Sequence, residues 1–153
     1  MHSRIFQVSL DPITKADYIT ESDYWEHWFT REIADYVDED TNRNHDIEWF
    51  KSCCNGFVFD KDERGEYFIV EDKEKYFADK FKMFSEAVDK IKDYTLSGFT
   101  QGVAEMWGLR HAYEDRFGFY LDADGELMTL DRFVRGCAKG AKYYIGGTID
   151  YHC

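Results

Sequence analysis

The sequence predicts a single α+β domain over residues 1–153, with a mostly antiparallel sheet and helices packed on one face. Short alternating segments are separated by turn residues such as Asp124-Gly125, a pair that is typical of β-hairpins. Longer segments repeat their apolar residues at helical spacing, most clearly between residues 72 and 93. The chain contains a single proline, so no proline-rich linker divides it into two domains.

The first third of the chain is predicted to contain one strand and two helices. Alternation of side chains predicts a strand at Arg4–Leu10. Thr20 followed by Asp23 matches a capping box and predicts a helix that ends near Val37. The buried stripe of this helix is expected to consist of large side chains: Trp25, Phe29, Ile33 and Tyr36, with Trp28 beside them. A short helix is predicted at residues 46–53.

The middle of the chain predicts a hairpin and then a long helix. Residues 57–59 and 66–70 flank a charged turn and are expected to pair as antiparallel strands. Residues 72–93 carry six acids and six lysines, so the predicted helix is locally neutral. Its apolar residues, which we expect to face the core, are Phe77, Phe81, Phe84, Val88 and Ile91.

The last third predicts two helices, a hairpin and a final strand. The helix at residues 103–115 is expected to bury Met106, Trp107 and Tyr113. Residues 119–128 should form a second hairpin, and Thr129 should cap a short helix that ends at Val134. A strand is predicted at residues 141–151, with a bulge at Gly146-Gly147 because glycine pairs weaken regular strands.

Negative charge is concentrated in residues 17–48. This segment holds eleven acids and two arginines, which gives a net charge of −9 out of −12 for the whole chain. Such a surface repels nucleic acid and acidic membranes and attracts basic grooves. We therefore expect no direct binding of nucleic acid and no association with membranes. The alternative is a solvated face that only keeps the protein soluble.

The remaining features favour a protein that acts without a metal or a cofactor. Asp60, Asp62, Gly65 and Glu71 match positions of a calcium-binding loop, but Arg64 places a positive charge where a ligand is needed. The histidines and cysteines lack the paired spacing of zinc sites, and no nucleophile motif is present. The sequence therefore predicts no catalytic residue, no metal and no cofactor.

The sequence favours a cytoplasmic location. The N-terminus has no apolar run of the kind found in signal peptides, and no stretch reaches the roughly 20 apolar residues that a membrane helix needs. The four cysteines show no CxxC spacing, and we expect them to be reduced thiols.

In its size, its α+β character and its acidic segment at residues 20–40, the chain resembles the small acidic inhibitors encoded by phages and mobile elements. These are the anti-CRISPR and anti-restriction proteins, several of which mimic DNA. The resemblance lies in the overall profile and not in a motif. It implies an inhibitor that occupies the basic nucleic-acid groove of a partner protein, such as a CRISPR or restriction nuclease.

The residues expected to bind this partner lie in the predicted helix and in the loop that follows it. The acids are Glu26, Glu32, Asp35, Asp38, Glu39 and Asp40, and the aromatic anchors are Tyr24 and Tyr36. The alternative hypothesis is a small cytosolic enzyme or ligand-binding domain with an aromatic-lined pocket. A continuous acidic strip without a deep pocket favours the first hypothesis, whereas a pocket with a buried histidine or cysteine favours the second.

Overall fold

The computed structural model describes residues 1–153 as one seven-stranded sheet with six α-helices. The strands are β1 (His2–Ser9), β2 (Tyr36–Asp38), β3 (Phe57–Asp62), β4 (Gly65–Val70), β5 (Tyr120–Ala123), β6 (Glu126–Thr129) and β7 (Lys142–His152). The α-helices are α1 (Trp28–Glu32), α2 (Arg43–Cys53), α3 (Lys73–Lys92), α4 (Leu96–Gln101), α5 (Glu105–Tyr113) and α6 (Leu130–Gly136). Short 3-10 turns occupy Lys15–Asp17 and Glu21–Tyr24.

The sheet is built around the long strand β7. The strand order is β3-β4-β7-β1-β5-β6, and every pair is antiparallel except β1 with β5. The short strand β2 pairs with the C-terminal end of β7, where Tyr36 lies opposite His152 and Asp38 lies opposite Asp150. The prediction of an α+β domain with a mostly antiparallel sheet is confirmed.

The predicted bulge at Gly146-Gly147 is present, because these two residues oppose the single residue Gln7. The Gln7 side-chain oxygen accepts hydrogen bonds from the backbone N–H groups of Gly147, at 3.0 Å, and Ile19, at 3.1 Å. A Cβ atom at position 146 would lie only 2.3 Å from this oxygen. The bulge therefore needs glycine. Its extra residue shifts the alternation of β7 side chains between the two faces of the sheet by one position.

The larger core lies on the face of the sheet that helices α2, α3 and α6 cover. It contains fifteen buried residues, with Phe50 of α2 at its centre. The Phe50 ring stacks on Phe6 at a centroid distance of 4.5 Å and meets Phe68 edge-on at 5.6 Å. From α3, only residues near its N-terminal end, such as Tyr76 and Phe77, reach this cluster.

The opposite face of the sheet is covered by the segment from residue 21 to residue 34. Its side chains Tyr24, Phe29 and Ile33 belong to a second core cluster of nine buried residues, which also includes Ile5 and Ile149 of the sheet. The Phe29 ring packs edge-on against Tyr120 at 4.7 Å and Tyr151 at 4.9 Å. The acidic segment is therefore anchored to the sheet by its buried aromatic residues.

Both predicted hairpins form, and the cap of α6 is also confirmed. In the β5–β6 turn, Asp124 and Gly125 adopt φ values of 53° and 89°, as the two-residue turn that matches strand twist requires. The Thr129 hydroxyl accepts a hydrogen bond from the Arg132 N–H at 3.2 Å and caps α6. These elements depend on short-range contacts, which explains why local sequence predicted them.

The predicted single helix from Thr20 to Val37 is wrong. The capping box at Thr20 is present but opens a 3-10 turn, and His27 then caps the short helix α1 by accepting from the Phe29 N–H at 3.3 Å. Beyond α1 the chain becomes strand β2, because its backbone pairs with β7. The interruption rotates the buried stripe, so that Trp25 is 67% exposed while Phe29 remains buried.

The predicted burial of Phe81 is also wrong, because α3 continues beyond the sheet and packs instead against α5. Phe81 is 68% exposed. Met106, Trp107 and Tyr113, which were expected to be buried on α5, are exposed as well. We call residues 78–113 the helical arm; within it only Ala87 and Ala112 are buried.

Candidate protein-binding surface

The six acids predicted to bind a partner are all exposed to solvent. They lie around α1, along the edge strand β2 and in the loop that follows it: Glu26, Glu32, Asp35, Asp38, Glu39 and Asp40. We refer to these six residues as the acidic strip. These acids are distributed over α1, β2 and the adjoining loops, and not over the single helix that the sequence predicted.

The acidic strip is not neutralised by lysine or arginine within the chain. Among the eleven acids of residues 17–48, only Asp46 and Glu48 form such ion pairs, with Arg4 at 2.7 Å and Lys51 at 2.6 Å. The one ionic partner within the strip is His152, whose Nδ1 lies 3.1 Å from the Asp35 carboxylate. The strip therefore presents most of its charge to solvent or to a partner.

Backbone hydrogen bonds hold part of the acidic strip in place. The Glu39 carboxylate accepts from the Glu21 N–H at 3.0 Å, which joins the strip to the 3-10 turn. The Asp38 carboxylate accepts from the Asp40 N–H at 2.8 Å. These contacts order the loop after β2, so the charges belong to a folded surface and not to a free tail.

Strand β2 leaves one edge of the sheet open. It pairs with β7 on one side and with no strand on the other. An open edge offers unpaired backbone groups to another chain, and charged side chains are a common defence against unwanted pairing. The carboxylate of Asp38 on β2, and that of Asp35 just before it, serve this role whether or not they also bind a partner.

The prediction that Tyr24 anchors a partner is wrong, because this side chain is buried. It is 1% exposed, and its hydroxyl donates to the Asp122 carboxylate at 2.7 Å. Burial, followed by the nearby Asp122 charge, raises the Tyr24 pKa far above its usual range. The sequence prediction failed because it assigned one helical phase to a segment that is interrupted at His27.

Exposed aromatic side chains lie beside the acidic strip, and they include Tyr36, which the sequence had assigned both to the buried stripe and to the aromatic anchors. The Tyr36 ring is half exposed and stacks on the His152 ring at 5.3 Å. Trp25 and Trp28 are exposed as well, although sequence reasoning had assigned Trp25 to the buried stripe and Trp28 to a position beside it. Aromatic residues of this kind are enriched among the side chains that dominate binding energy.

Two histidines and two aspartates form a cluster where the N-terminal and C-terminal ends of the chain meet. His2 Nδ1 lies 2.9 Å from Asp150, and the His2 and His152 rings are 5.0 Å apart. Because His152 also contacts Asp35, this group joins the acidic strip to the end of β7.

The clefts of the molecule place no buried histidine beside a reactive cysteine. One cleft of about 390 Å³ is lined by His2, Cys53 and Asp131, but His2 and Cys53 are both exposed. Cys54 is buried, and burial raises its pKa well above the ordinary value, which favours the thiol over the thiolate. The arrangement does not match the activated nucleophile that the enzyme hypothesis would require.

Asp131, which sequence reasoning did not single out, is a structural carboxylate in the first turn of α6. Its oxygens accept from the Tyr76 hydroxyl at 2.8 Å, the Asp115 N–H at 2.8 Å and the Lys80 ammonium at 3.1 Å. The side chain is buried and fully hydrogen-bonded, so it joins α3, α6 and the loop after α5. A buried carboxylate in the first turn of a helix is stabilised there by the helix dipole.

The calcium-like turn between β3 and β4 is held by protein contacts. Asp62 accepts from the Tyr144 hydroxyl at 2.8 Å and from the Arg64 N–H at 2.8 Å, and Lys142 lies 3.3 Å away. Partial burial raises the Asp62 pKa, but these hydrogen bonds outweigh that effect and hold the pKa below its usual range. No group of three or more His, Cys, Asp or Glu side chains is arranged to hold a metal ion.

No helix combines the length and the apolar character needed to cross a membrane. Comparison with known proteins gave no matching family model, no similar curated protein and no similar solved structure.

Proposed function

We propose that this protein is an inhibitor whose acidic strip occupies the basic nucleic-acid groove of a partner protein, such as a CRISPR or restriction nuclease. The observation that carries the proposal is the unneutralised charge of the strip on an ordered surface. Exposed carboxylates that are not neutralised by lysine or arginine attract a complementary basic groove and disfavour acidic partners, because charge complementarity raises the association rate and the specificity of binding.

The charge density of the strip is comparable to that of a nucleic-acid strand. Four acids fall within residues 35–40, and six residues of extended chain span at most about 20 Å. This gives one charge per about 5 Å or less, whereas a single DNA strand carries one phosphate per about 3.4 Å. A groove lined by lysine and arginine would therefore find a similar, slightly less dense array of negative charge.

Exposed aromatic residues beside the strip add contacts that charge alone does not provide. Trp25, Trp28 and Tyr36 are exposed within or next to the acidic segment. Buried aromatic anchors surrounded by polar contacts are typical of protein interfaces with high affinity. We expect the carboxylates to govern the association rate and its salt dependence, and the aromatic rings to slow dissociation.

A charge-matched pair of variants tests the proposal against simple solubility. The strip variant carries Asp35→Asn, Asp38→Asn, Glu39→Gln and Asp40→Asn, which removes charge while it retains an oxygen acceptor at each position. The control carries Glu63→Gln, Glu71→Gln, Glu86→Gln and Glu126→Gln; these side chains are exposed and form no hydrogen bond or ion pair. Both variants change the net charge by the same amount.

Each protein is immobilised and used to capture partners from a bacterial lysate at low and high salt. The proposal predicts that the native chain and the control capture the same nucleic-acid-binding protein, that nucleic acid competes for it, and that the strip variant does not capture it. Equal capture by the strip variant and the control would refute the proposal. So would a failure of the native chain to capture any basic protein at low salt.

A further inference from the structure

Three arginines whose guanidinium groups form no ion pair or hydrogen bond line a single cleft. Of the eight arginines, Arg4 and Arg43 pair with carboxylates, and Arg64 and Arg135 lie over aromatic rings. The guanidinium groups of the other four form no ion pair or hydrogen bond: Arg31, Arg110, Arg116 and Arg132. The last three line a cleft of about 390 Å³, which we call the arginine cleft.

The floor of the arginine cleft is apolar and its rim is basic. The buried side chains Ile33, Tyr120 and Leu127 line it, together with the exposed rings of Trp28 and Tyr113. The only carboxylate in the lining is Glu114, which already accepts a hydrogen bond from the Thr129 hydroxyl at 2.7 Å. In a chain with a net charge of −12, this cleft is a local concentration of positive charge.

We propose that the arginine cleft binds a mononucleotide, with its phosphate on the guanidinium groups and its base between the aromatic rings. Guanidinium groups recognise phosphate through paired hydrogen bonds, and exposed indole and phenol rings stack on planar bases. The cleft volume lies within the range of about 300–1,000 Å³ that small-molecule sites occupy. This proposal concerns a ligand of the protein itself and does not depend on the acidic strip.

Calorimetric titration with AMP, GMP, adenosine and inorganic phosphate tests this site. We expect saturable binding of at least one nucleotide in the micromolar to low-millimolar range, and weaker binding of both adenosine and phosphate. Replacing Arg110, Arg116 and Arg132 together by glutamine should weaken binding by about tenfold or more, since each lost charge-assisted contact costs about 1.5 kcal/mol or more. Arg31→Gln is the matched control and should bind as the native chain does.

Three results would overturn the proposal. The first is the absence of saturable binding by either nucleotide at millimolar concentration. The second is equal binding by the triple variant and Arg31→Gln, which would place the ligand elsewhere. The third is binding of adenosine or of phosphate alone as tight as that of the nucleotides, which would mean that the ring and the phosphate are not recognised together. Circular dichroism of the triple variant verifies that its fold is retained.

A second, independent observation is the large apolar surface of the helical arm. Apart from Tyr113, which lines the arginine cleft, its large side chains that are at least half exposed are Phe81, Met83, Leu96, Phe99 and Trp107. With roughly 200 Å² per large side chain, they expose on the order of 650 Å² in total. Summed over the three helices of the arm, this area approaches the roughly 800 Å² that each partner buries in a standard interface.

The charge distribution identifies a second copy of this chain as the occupant. Residues 78–113 contain five acids and five bases, so the helical arm has no net charge, and the full −12 lies on the rest of the chain. Contact between the acidic surfaces of two copies costs electrostatic repulsion, whereas contact through the neutral, apolar arm does not. We infer that two copies associate through their helical arms and direct their acidic strips away from each other.

Sedimentation velocity over a micromolar concentration range tests this association. The native chain should sediment as a dimer with twice the 18.2 kDa mass, and Phe99→Glu with Trp107→Glu should convert it to a monomer with unchanged circular dichroism. The control is Leu10→Glu, an exposed apolar side chain outside the arm, which should leave the dimer intact. A native chain that is monomeric at high micromolar concentration, or a dimer that survives both arm substitutions, would overturn the inference.

Discussion

Substitution of Phe50 by alanine should destabilise the domain severely, whereas the same substitution at Phe81 should have little effect. Phe50 is fully buried, and its ring packs against Phe6, Phe68 and Phe119 at centroid distances of 4.5, 5.6 and 5.6 Å. Removing a buried phenylalanine costs about 3–5 kcal/mol, because it forfeits the transfer energy of the ring and leaves a cavity. The loss of several edge-on aromatic contacts places Phe50 near the upper end, at about 4–5 kcal/mol.

Phe81 provides a control of identical chemistry at a site where the structure leaves the ring 68% exposed. Exposed substitutions of this kind change the free energy of unfolding by about 0.5 kcal/mol or less. The sequence periodicity assigned Phe81 to the core, so the pair of variants separates the observed packing from the pattern.

The assay is urea-induced unfolding followed by circular dichroism, with a thermal melt beside it. Both variants are measured in a background that carries Phe99→Glu and Trp107→Glu, so that self-association does not contribute to stability. For a domain of this size, about 4–5 kcal/mol lowers the melting temperature by roughly 10–20 °C. A Phe81→Ala effect as large as that of Phe50→Ala would refute the observed course of α3, and a Phe50→Ala effect below about 1.5 kcal/mol would refute the packing of the larger core.

Three further predictions concern the bulge, the buried tyrosines and the cysteines. Gly146→Ala should lower the free energy of unfolding by about 1–3 kcal/mol, because the new Cβ would lie 2.3 Å from the Gln7 side-chain oxygen. In urea unfolding, the effects of Gly146→Ala and Gln7→Ala should not add in the double variant, and strict additivity would contradict the contact. Burial raises the pKa of four tyrosines above their ordinary value of 10.0: Tyr24, Tyr76, Tyr120 and Tyr151. The tyrosines of the unfolded chain ionise near pH 10, so the stability that these four buried hydroxyls contribute is complete below that pH and declines above it. Tyrosinate absorbance should therefore show the four groups ionising together with unfolding. A gradual titration of all eleven tyrosines in the folded protein would contradict their burial. A thiol reagent should modify the exposed Cys53 rapidly and the buried Cys54 only on unfolding, as mass spectrometry of the modified peptide would record; equal rates would contradict the packing of α2.

Elements that depend on short-range chemistry could be predicted from the sequence. The Asp124-Gly125 turn, the Thr129 cap and the bulge at Gly146-Gly147 all occur where the residues indicated them. The turn and the cap depend on backbone preferences or on hydrogen bonds between near neighbours, so the local sequence contains the relevant information. The glycine pair indicated the bulge, although the Gln7 side chain that it contacts lies 140 residues away. The exposure of the six acids of the strip was predictable for a similar reason, since unpaired carboxylates are rarely buried.

Only the tertiary structure decided what covers each apolar side chain. Periodicity shows that a helix has an apolar side, but burial depends on whether another part of the chain reaches that side. In the helical arm no other element covers Phe81 or Trp107, whereas the sheet reaches Phe29 and Tyr24. The pairing of β2 with β7, which ends the first helical segment early, joins residues more than a hundred positions apart and leaves no local signal. The composition and the charge of the surface are therefore properties of the sequence, while the placement of its aromatic rings is a property of long-range packing.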